Sequence, residues 1–502
     1  MIRGHEAQVF IGITLALALS ISACIVGDMT SETSTAASPA PSAESGLRSS
    51  LGTSKPLAVA TAEMPTDIQP LAADDAGTWI ILSTPDGLWR MRPDGTDLAL
   101  YYERSPQVSI SFTDQTVSPD GRYLALLSTS GSSQYDQPTL TIFSVLSGKV
   151  LQNIPLTTSE TNPSPDSMPG DPKLEAVRSI VEVESYAWSP DGSRLAFMGV
   201  LDGPSSDLYL VSPKSNEITR LTDGPTQGIR PVWSPDGRYI VHVAVGGLGT
   251  GAGYSVKGVW AAAADGSGTK LLYEPDSGDE IVDGWLDDSR FVVHSWRVRC
   301  GEEDLRAVDV TTGEQQVLWK NAFSQVAVGR NSSSVLVGIN TSSCDTDQGT
   351  GLLVIPDGGS SFHVLEDDIV AMTWSPDAKL FFVLTEFGMV AISPSGETID
   401  IDTPIAVGSD YDFPEVEPAT HKLAWSSEEG VWISEITSGL DNPPRQIISG
   451  SAPFARWGPN TDTLFFSIDG DLYQAHGPQW EPVLISESLG ARDSVVVGLP
   501  QK

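Results

Sequence analysis

His242 in YIVHVAV and His294 in FVVHSW are the first residues to weigh, because two imidazoles at equivalent places can hold a metal ion. No third ligand stands near either. One shared repeat would also place both without bringing them together, so structural roles are expected. The chain has no His-Glu-x-x-His pattern of the kind that builds a zinc peptidase helix. Cysteine is as sparse: Cys24, Cys300 and Cys344 complete the inventory. Cys300 and Cys344 follow apolar strands in FVVHSWRVRC and VLVGINTSSC, at matching places in consecutive units. In an exported chain that pattern reads as a disulfide.

Carboxylate chemistry is harder to localise, because 65 acidic side chains offer candidates everywhere. A pair at a central pocket would suit glycoside cleavage, yet no pair stands out. Asp287-Asp288 in DEIVDGWLDDSR fills the turn slot of a repeat. The acids of CDTDQGTG, residues 344–351, alternate as in a calcium loop but lack the later ligands and the closing glutamate. Calcium stays a minor alternative, and no cofactor or metal is expected. A serine nucleophile would announce itself as Gly-x-Ser-x-Gly, and the nearest miss is GYSVK at 253–257. The glycines of VGGLGTGAGYSVKG, 245–258, suggest a phosphate loop only until one asks for the helix that must follow. A flexible loop is expected there, and with the insertion at 157–179 it would shape a binding mouth.

The elements that must carry these residues are short strands. Glycine (47) and proline (35) are plentiful, 40% of residues are hydrophobic, and no long amphipathic helical period is evident. An all-β fold follows. The net charge of −36 repels phosphate backbones and excludes a nucleic-acid partner.

The amino terminus addresses the chain. Arg3, an apolar run from Val9 to Leu19 and small residues make a secretory signal over 1–23. Its end, Ile21-Ser22-Ala23-Cys24, resembles the bacterial lipobox, which implies lipidation of Cys24 and an extracytoplasmic chain anchored through that lipid. The apolar run is too short to span a bilayer comfortably. Ser, Thr, Ala and Pro dominate the segment up to residue 70, so 24–70 is expected to be a disordered tether.

Residues 71–502 repeat. Ser-Pro-Asp landmarks stand at Pro119-Asp120-Gly121, Pro190-Asp191-Gly192, Pro235-Asp236-Gly237 and Pro376-Asp377, with a degenerate Trp-Gly-Pro-Asn at Pro459. Pro190 and Pro235 are 45 residues apart, and weaker anchors near Trp285, Val328 and Val416 fall where multiples of this spacing put them. Proline pre-sets φ, aspartate bonds its own backbone and glycine accepts positive φ, so each landmark is a turn between two strands. Four strands per unit is the arithmetic of a β-propeller blade. Eight anchors begin units. A three-strand fragment before them and the spare strand DSVVVGLP after them would join into a ninth. The expected fold is a single propeller of eight or nine four-stranded blades, closed by pairing of its terminal strands. An irregular unit near Val328 would reduce the count to eight.

The Trp-Ser-Pro-Asp-Gly motif followed by an apolar strand resembles the TolB-type, WD-like repeat, over about residues 78–499. That resemblance implies a propeller and, by analogy with TolB, a scaffold for a protein, peptide or envelope component. The expectation is therefore a monomeric, non-enzymatic binding module whose partner is a protein or peptide. The alternative is a hydrolase or lyase acting on extracellular carbohydrate or peptide through the central channel, and a second alternative is a ligand sensor. Similar propellers gate prolyl oligopeptidase-type serine peptidases, but no hydrolase domain is expected here, since no elbow motif is found and no length remains after residue 499.

Overall fold

A computed structural model describes residues 56–57 and most of 77–498. Within 77–498 the longest stretches outside the described residues are 104–111, 297–303, 340–349, 402–414 and 436–443. All described residues lie in one compact unit, 51–406 with 411–502.

Nine antiparallel sheets follow one another along the chain, so the propeller has nine blades. Blade 1 draws strands from both ends: Asp493–Gly498 pairs with Thr78–Thr84, and Gly87–Met91 and Ala99–Glu103 complete it. Trp79 faces Val497 and Ile81 faces Val495 in that seam. The terminal fragments therefore make the ninth blade, and the closure removes two free edges. The irregular blade is not the one at Val328, which has four strands beginning with Gln325–Val328. It is blade 2, whose first strand shrinks to a bridge between Val117 and Leu124 beside Tyr123–Ser128, Thr139–Ser144 and Val150–Pro155.

Burial grades across each blade, for a packing reason. Second strands lie between neighbouring sheets and are covered on both faces, so they are continuous apolar runs rather than alternating ones. Leu195–Gly199 (blade 3), Phe381–Thr385 (blade 7) and Thr463–Ile468 (blade 9) are buried throughout. Fourth strands meet water: Gln315–Lys320 (blade 5) and Glu481–Ser486 (blade 9) are largely exposed. The first strands of successive blades are the ones that approach each other, as Gln227–Trp233 of blade 4 does Tyr186–Trp188 of blade 3 and Asp279–Trp285 of blade 5. They therefore line the axis. Blade 3 gains a fifth strand, because Pro56–Leu57 adds to its outer strand Ile218–Arg220.

The turns explain the repeated tripeptide more fully than the sequence did. In blade 4 Gly237 adopts φ 70°. The Asp236 carboxylate accepts from Ser234 Oγ (2.7 Å) and Arg238 N (3.0 Å), and Ser234 Oγ in turn accepts from Tyr239 N (2.9 Å). Blades 2 and 3 repeat the device with Ser118–Asp120 at 2.7 Å and Ser189–Asp191 at 2.6 Å. Serine is thus a working member of the motif. Trp233, just before it, donates Nε1–H to Ala187 O of blade 3 at 2.9 Å and so ties adjacent first strands. In the degenerate turn of blade 5, Asp287 takes the same role, accepting from Ser289 N and Arg290 N at 2.8 Å. Pro376 and Asp377 lie outside the described residues.

Among the described residues one helix breaks the all-strand pattern, Pro172–Val181, inside the insertion between blades 2 and 3. Asp171 caps it, accepting from Lys173 N at 2.9 Å, and Pro172 opens it. Leu174, Val177 and Ile180 give its buried stripe.

Candidate functional site

Two ends of each sheet must be told apart. The Ser-Pro-Asp-Gly turns join first to second strands at one end. The turns from second to third strand emerge at the other end, and the chemistry-bearing residues gather there in blades 3 to 5.

In blade 3 Asp207, 2% exposed, accepts from Arg220 Nη2 (2.7 Å), Thr222 Oγ1 (3.0 Å) and Gly224 N (3.2 Å). Burial raises its pKa against the opposing pull of Arg220. Arg220 also holds Asp202 at 3.1 Å. In blade 5 Glu280 is buried and accepts from Tyr273 OH (2.9 Å), Ser295 Oγ (2.7 Å) and Arg306 Nη2 (2.7 Å). Burial, and then the Glu280 charge, push the Tyr273 hydroxyl up. In both clusters the buried carboxylate is held by an arginine of its own blade, Arg220 or Arg306, which suits structural ion networks rather than proton transfer.

The first strands depart from regular pairing at the same end. In blade 4 Ile229 pairs with Val243 and Val232 with Val241, so Arg230 and Pro231 together face His242. In blade 5 Val282 pairs with Val293 and Gly284 with Val292, which leaves Asp283 without an opposite residue. Blade 7 extrudes Val370 in the same way, and Val370 is 42% exposed. Bulges of this kind re-aim side chains. The one at Asp283 brings its carboxylate to His294 on the neighbouring strand, with Nδ1 at 2.9 Å from both oxygens. Phe323, from the approach to blade 6, meets the imidazole edge to face at 5.4 Å. An aspartate fixed on Nδ1 sets the tautomer and directs proton exchange to Nε2.

The two histidines therefore part company. Each stands nine residues after its anchoring tryptophan, Trp233 or Trp285. The blade 4 turn is one residue longer, however: Trp233 pairs with Ile240, whereas Trp285 pairs with Phe291. Equal spacing in sequence thus becomes opposite faces in the sheets. His242 is 4% exposed, its Nδ1 has no hydrogen-bond partner, and burial pushes its pKa down to about 4. Among the described residues no group of His, Cys, Asp or Glu is arranged to hold a metal.

The glycine-rich stretch is mostly strand. Tyr239–Leu248 and Tyr254–Ala263 run ten residues each, past the length of their neighbours, and only 249–253 lies outside the described residues. The insertion meets it: Glu175 accepts from Leu248 N at 2.9 Å, and Arg178 donates to Leu248 O at 2.8 Å. Arg178 also grips Glu182 at 2.9 Å, and Glu182 accepts from Tyr135 OH of blade 2 at 2.5 Å. The helix thereby braces the long hairpin as a wall beside the bulged strands of blades 4 and 5. Cys24, Cys300, Cys344 and the acids of 344–349 lie outside the described residues.

The fold defines a nine-bladed β-propeller, and no protein-family model matches the chain. A structure of a eukaryotic initiation factor aligns with a TM-score of 0.54 over 85% of this chain and all of that one, at 10% identity, a likeness of fold alone. In sequence the chain is 31% identical over 138 residues to "Uncharacterized peptidase YuxL" of Bacillus subtilis, covering 27% of this chain and 18% of that protein. It is also 32% identical over 94 residues to "Uncharacterized protein Atu1656" of Agrobacterium fabrum, covering 19% and 29% respectively. The matches span less than a third of either relative. The resemblance to a protein named as a peptidase overturns the expectation of a non-enzymatic scaffold and favours the hydrolase alternative. A Gly-x-Ser-x-Gly elbow is one of several routes to hydrolysis, so its absence from the sequence does not exclude that chemistry.

Proposed function

We propose that this chain handles peptides as the propeller of a peptidase-class hydrolase, with the substrate reaching the bulged first strands of blades 4 and 5. The observation that carries this reading is the 31% identity over 138 residues to a protein named as a peptidase. Blade 5 supports it chemically. Asp283 accepts the Nδ1 proton of His294, so Nε2 takes a proton from an attacking hydroxyl or water and returns it to the leaving amine. The Asp283 charge stabilises the imidazolium formed in between.

The test is to incubate the purified full chain with a defined peptide library and read cleavage by mass spectrometry and retention on the immobilised chain. Amide cleavage that falls ~100-fold or more in His294→Gln upholds the reading. Retention without cleavage upholds peptide handling and overturns the role of His294. Neither cleavage nor retention overturns the whole proposal.

The amino terminus supports an exported substrate. The lipobox-like Ile21-Ser22-Ala23-Cys24 favours attachment of lipid at Cys24, and the Trp-Ser-Pro-Asp-Gly repeats favour a TolB-type propeller on the outer side of a membrane. Labelling with an alkyne fatty acid should be abolished by Cys24→Ala. A labelled, membrane-bound Cys24→Ala chain overturns the anchor.

A further inference from the structure

The long hairpin of blade 4 carries two bulges side by side. Ala244 pairs with Gly258 and Val245 with Val256, so Lys257 has no opposite residue. The next pair is Leu248 with Tyr254, so Gly246 and Gly247 together face Ser255. Bulges of this kind re-aim side chains, and these two bring a hydroxyl and an ammonium to one place. A Cβ at Gly246 would stand 2.8 Å from Lys257 Cε, 3.6 Å from Ser255 Oγ and 3.7 Å from Lys257 Nζ. The two polar groups thus converge beside a residue with no side chain of its own. Ser255 and Lys257 are both exposed.

Among the described residues neither group is spent on the fold: no protein oxygen accepts from Lys257 Nζ or Ser255 Oγ. Lys422, by contrast, holds Asp462 at 2.8 Å, and Lys270 donates to Thr311 O. Glu175, the carboxylate nearest Gly247, is already held by Arg178 Nη1 at 3.0 Å and Leu248 N at 2.9 Å. Those same bonds clamp the hairpin to the helix. The pair therefore stands on a braced wall, which lowers the ordering cost of binding there. A lysine offers donors and no acceptor, and a serine hydroxyl adds one donor, so the ligand that satisfies both is an acceptor-only carboxylate.

We infer that Ser255 and Lys257 form a specificity-determining subsite that takes a carboxylate of the substrate peptide, either its C-terminal group or an acidic side chain. The inference rests on the peptide-handling reading above. In a chain of net charge −36 the subsite lets an acidic peptide settle on a surface whose overall field opposes it. It also gives the GYSVK stretch a use as a donor pair rather than as a failed elbow.

Three N-acetylated peptides distinguish the sources: tetra-alanine with a free C-terminus, its C-terminal amide, and the amide with one alanine replaced by glutamate. Isothermal titration calorimetry with the full chain should show one or both acidic peptides binding ~5-fold more tightly than the neutral amide. That preference should fade at ~1 M salt, where charges are screened within about 3 Å. Lys257→Met should bring the acidic peptides down to the neutral amide's affinity, and Lys257→Arg should keep the preference. Gly246→Ala retains both donors, but its methyl group pushes the lysine end aside. The preference should then fall about twofold while the melting temperature holds. Equal binding of all three peptides to the native chain overturns the inference and leaves peptide handling standing. So does a preference that survives Lys257→Met or is undiminished in Gly246→Ala. No binding of any peptide overturns the peptide reading itself.

Discussion

Lowering the pH should unlock blade 4 through His242. The side chain is 4% exposed in the second strand, opposite Trp260 on one side and the Arg230-Pro231 bulge on the other. Burial alone holds its pKa down to about 4, against 6.5 for a free imidazole. Between those values the unfolded chain binds a proton that the folded chain refuses, so stability falls as the pH drops through the window from 6.5 toward 4. Linkage over this interval gives a loss of roughly 2 kcal/mol between pH 7 and pH 5, approaching roughly 3 kcal/mol below pH 4. His242→Leu removes the titrating group and also an unpartnered buried nitrogen, so at pH 7 it should be neutral or mildly stabilising. Urea unfolding followed by tryptophan fluorescence at pH 7 and pH 5, for the native chain and the variant, isolates the difference. The native chain should lose about 2 kcal/mol more than His242→Leu across that interval. Equal losses in the two proteins would refute the assignment of a buried, neutral His242.

Three further outcomes follow from the packing. A Cβ at Gly192 would stand 2.6 Å from Asp120 Oδ1 of the neighbouring turn, while one at Gly237 would meet nothing nearer than 3.8 Å. Both glycines have φ near 70°, so Gly237→Ala should cost about 1 kcal/mol in urea unfolding and Gly192→Ala visibly more. Deleting residues 493–502 removes the strand that closes blade 1 against Thr78–Thr84, and thermal melts should show a larger loss than any single turn substitution produces. Cys300 and Cys344 follow the second strands Arg290–Trp296 and Ser334–Ile339 of adjacent blades, so non-reducing peptide mapping should find them linked. Their replacement by serine should cost about 3–4 kcal/mol in the entropic account.

Much of the architecture was legible because a blade is a local object. Turn chemistry, strand length and spacing all sit within one unit of some 45 residues, and the terminal fragments could be counted as one missing blade. The helix Pro172–Val181 was legible too but went unread, since Asp171-Pro172 is a strong start signal and Leu174, Val177 and Ile180 supply the stripe. The serine of the tripeptide motif carried no obvious meaning until its bond to aspartate was seen.

The candidate site was not legible, and the reason is register. His242 and His294 look equivalent in sequence, yet a one-residue difference in turn length sets them on opposite faces. Asp283 reads as one more surface acid among 65, and only an inner-strand bulge makes it the partner of His294. Pro231 in GIRPVW marks a break in the strand, but only the pairing between strands shows Arg230 and Pro231 together facing His242. The order of residues determined that this chain repeats, turns and closes, since those depend on contacts a few residues apart. Which charges are locked into the fold and which face the axis was decided by pairing between strands and between blades, where a single extra residue changes the side a chain presents.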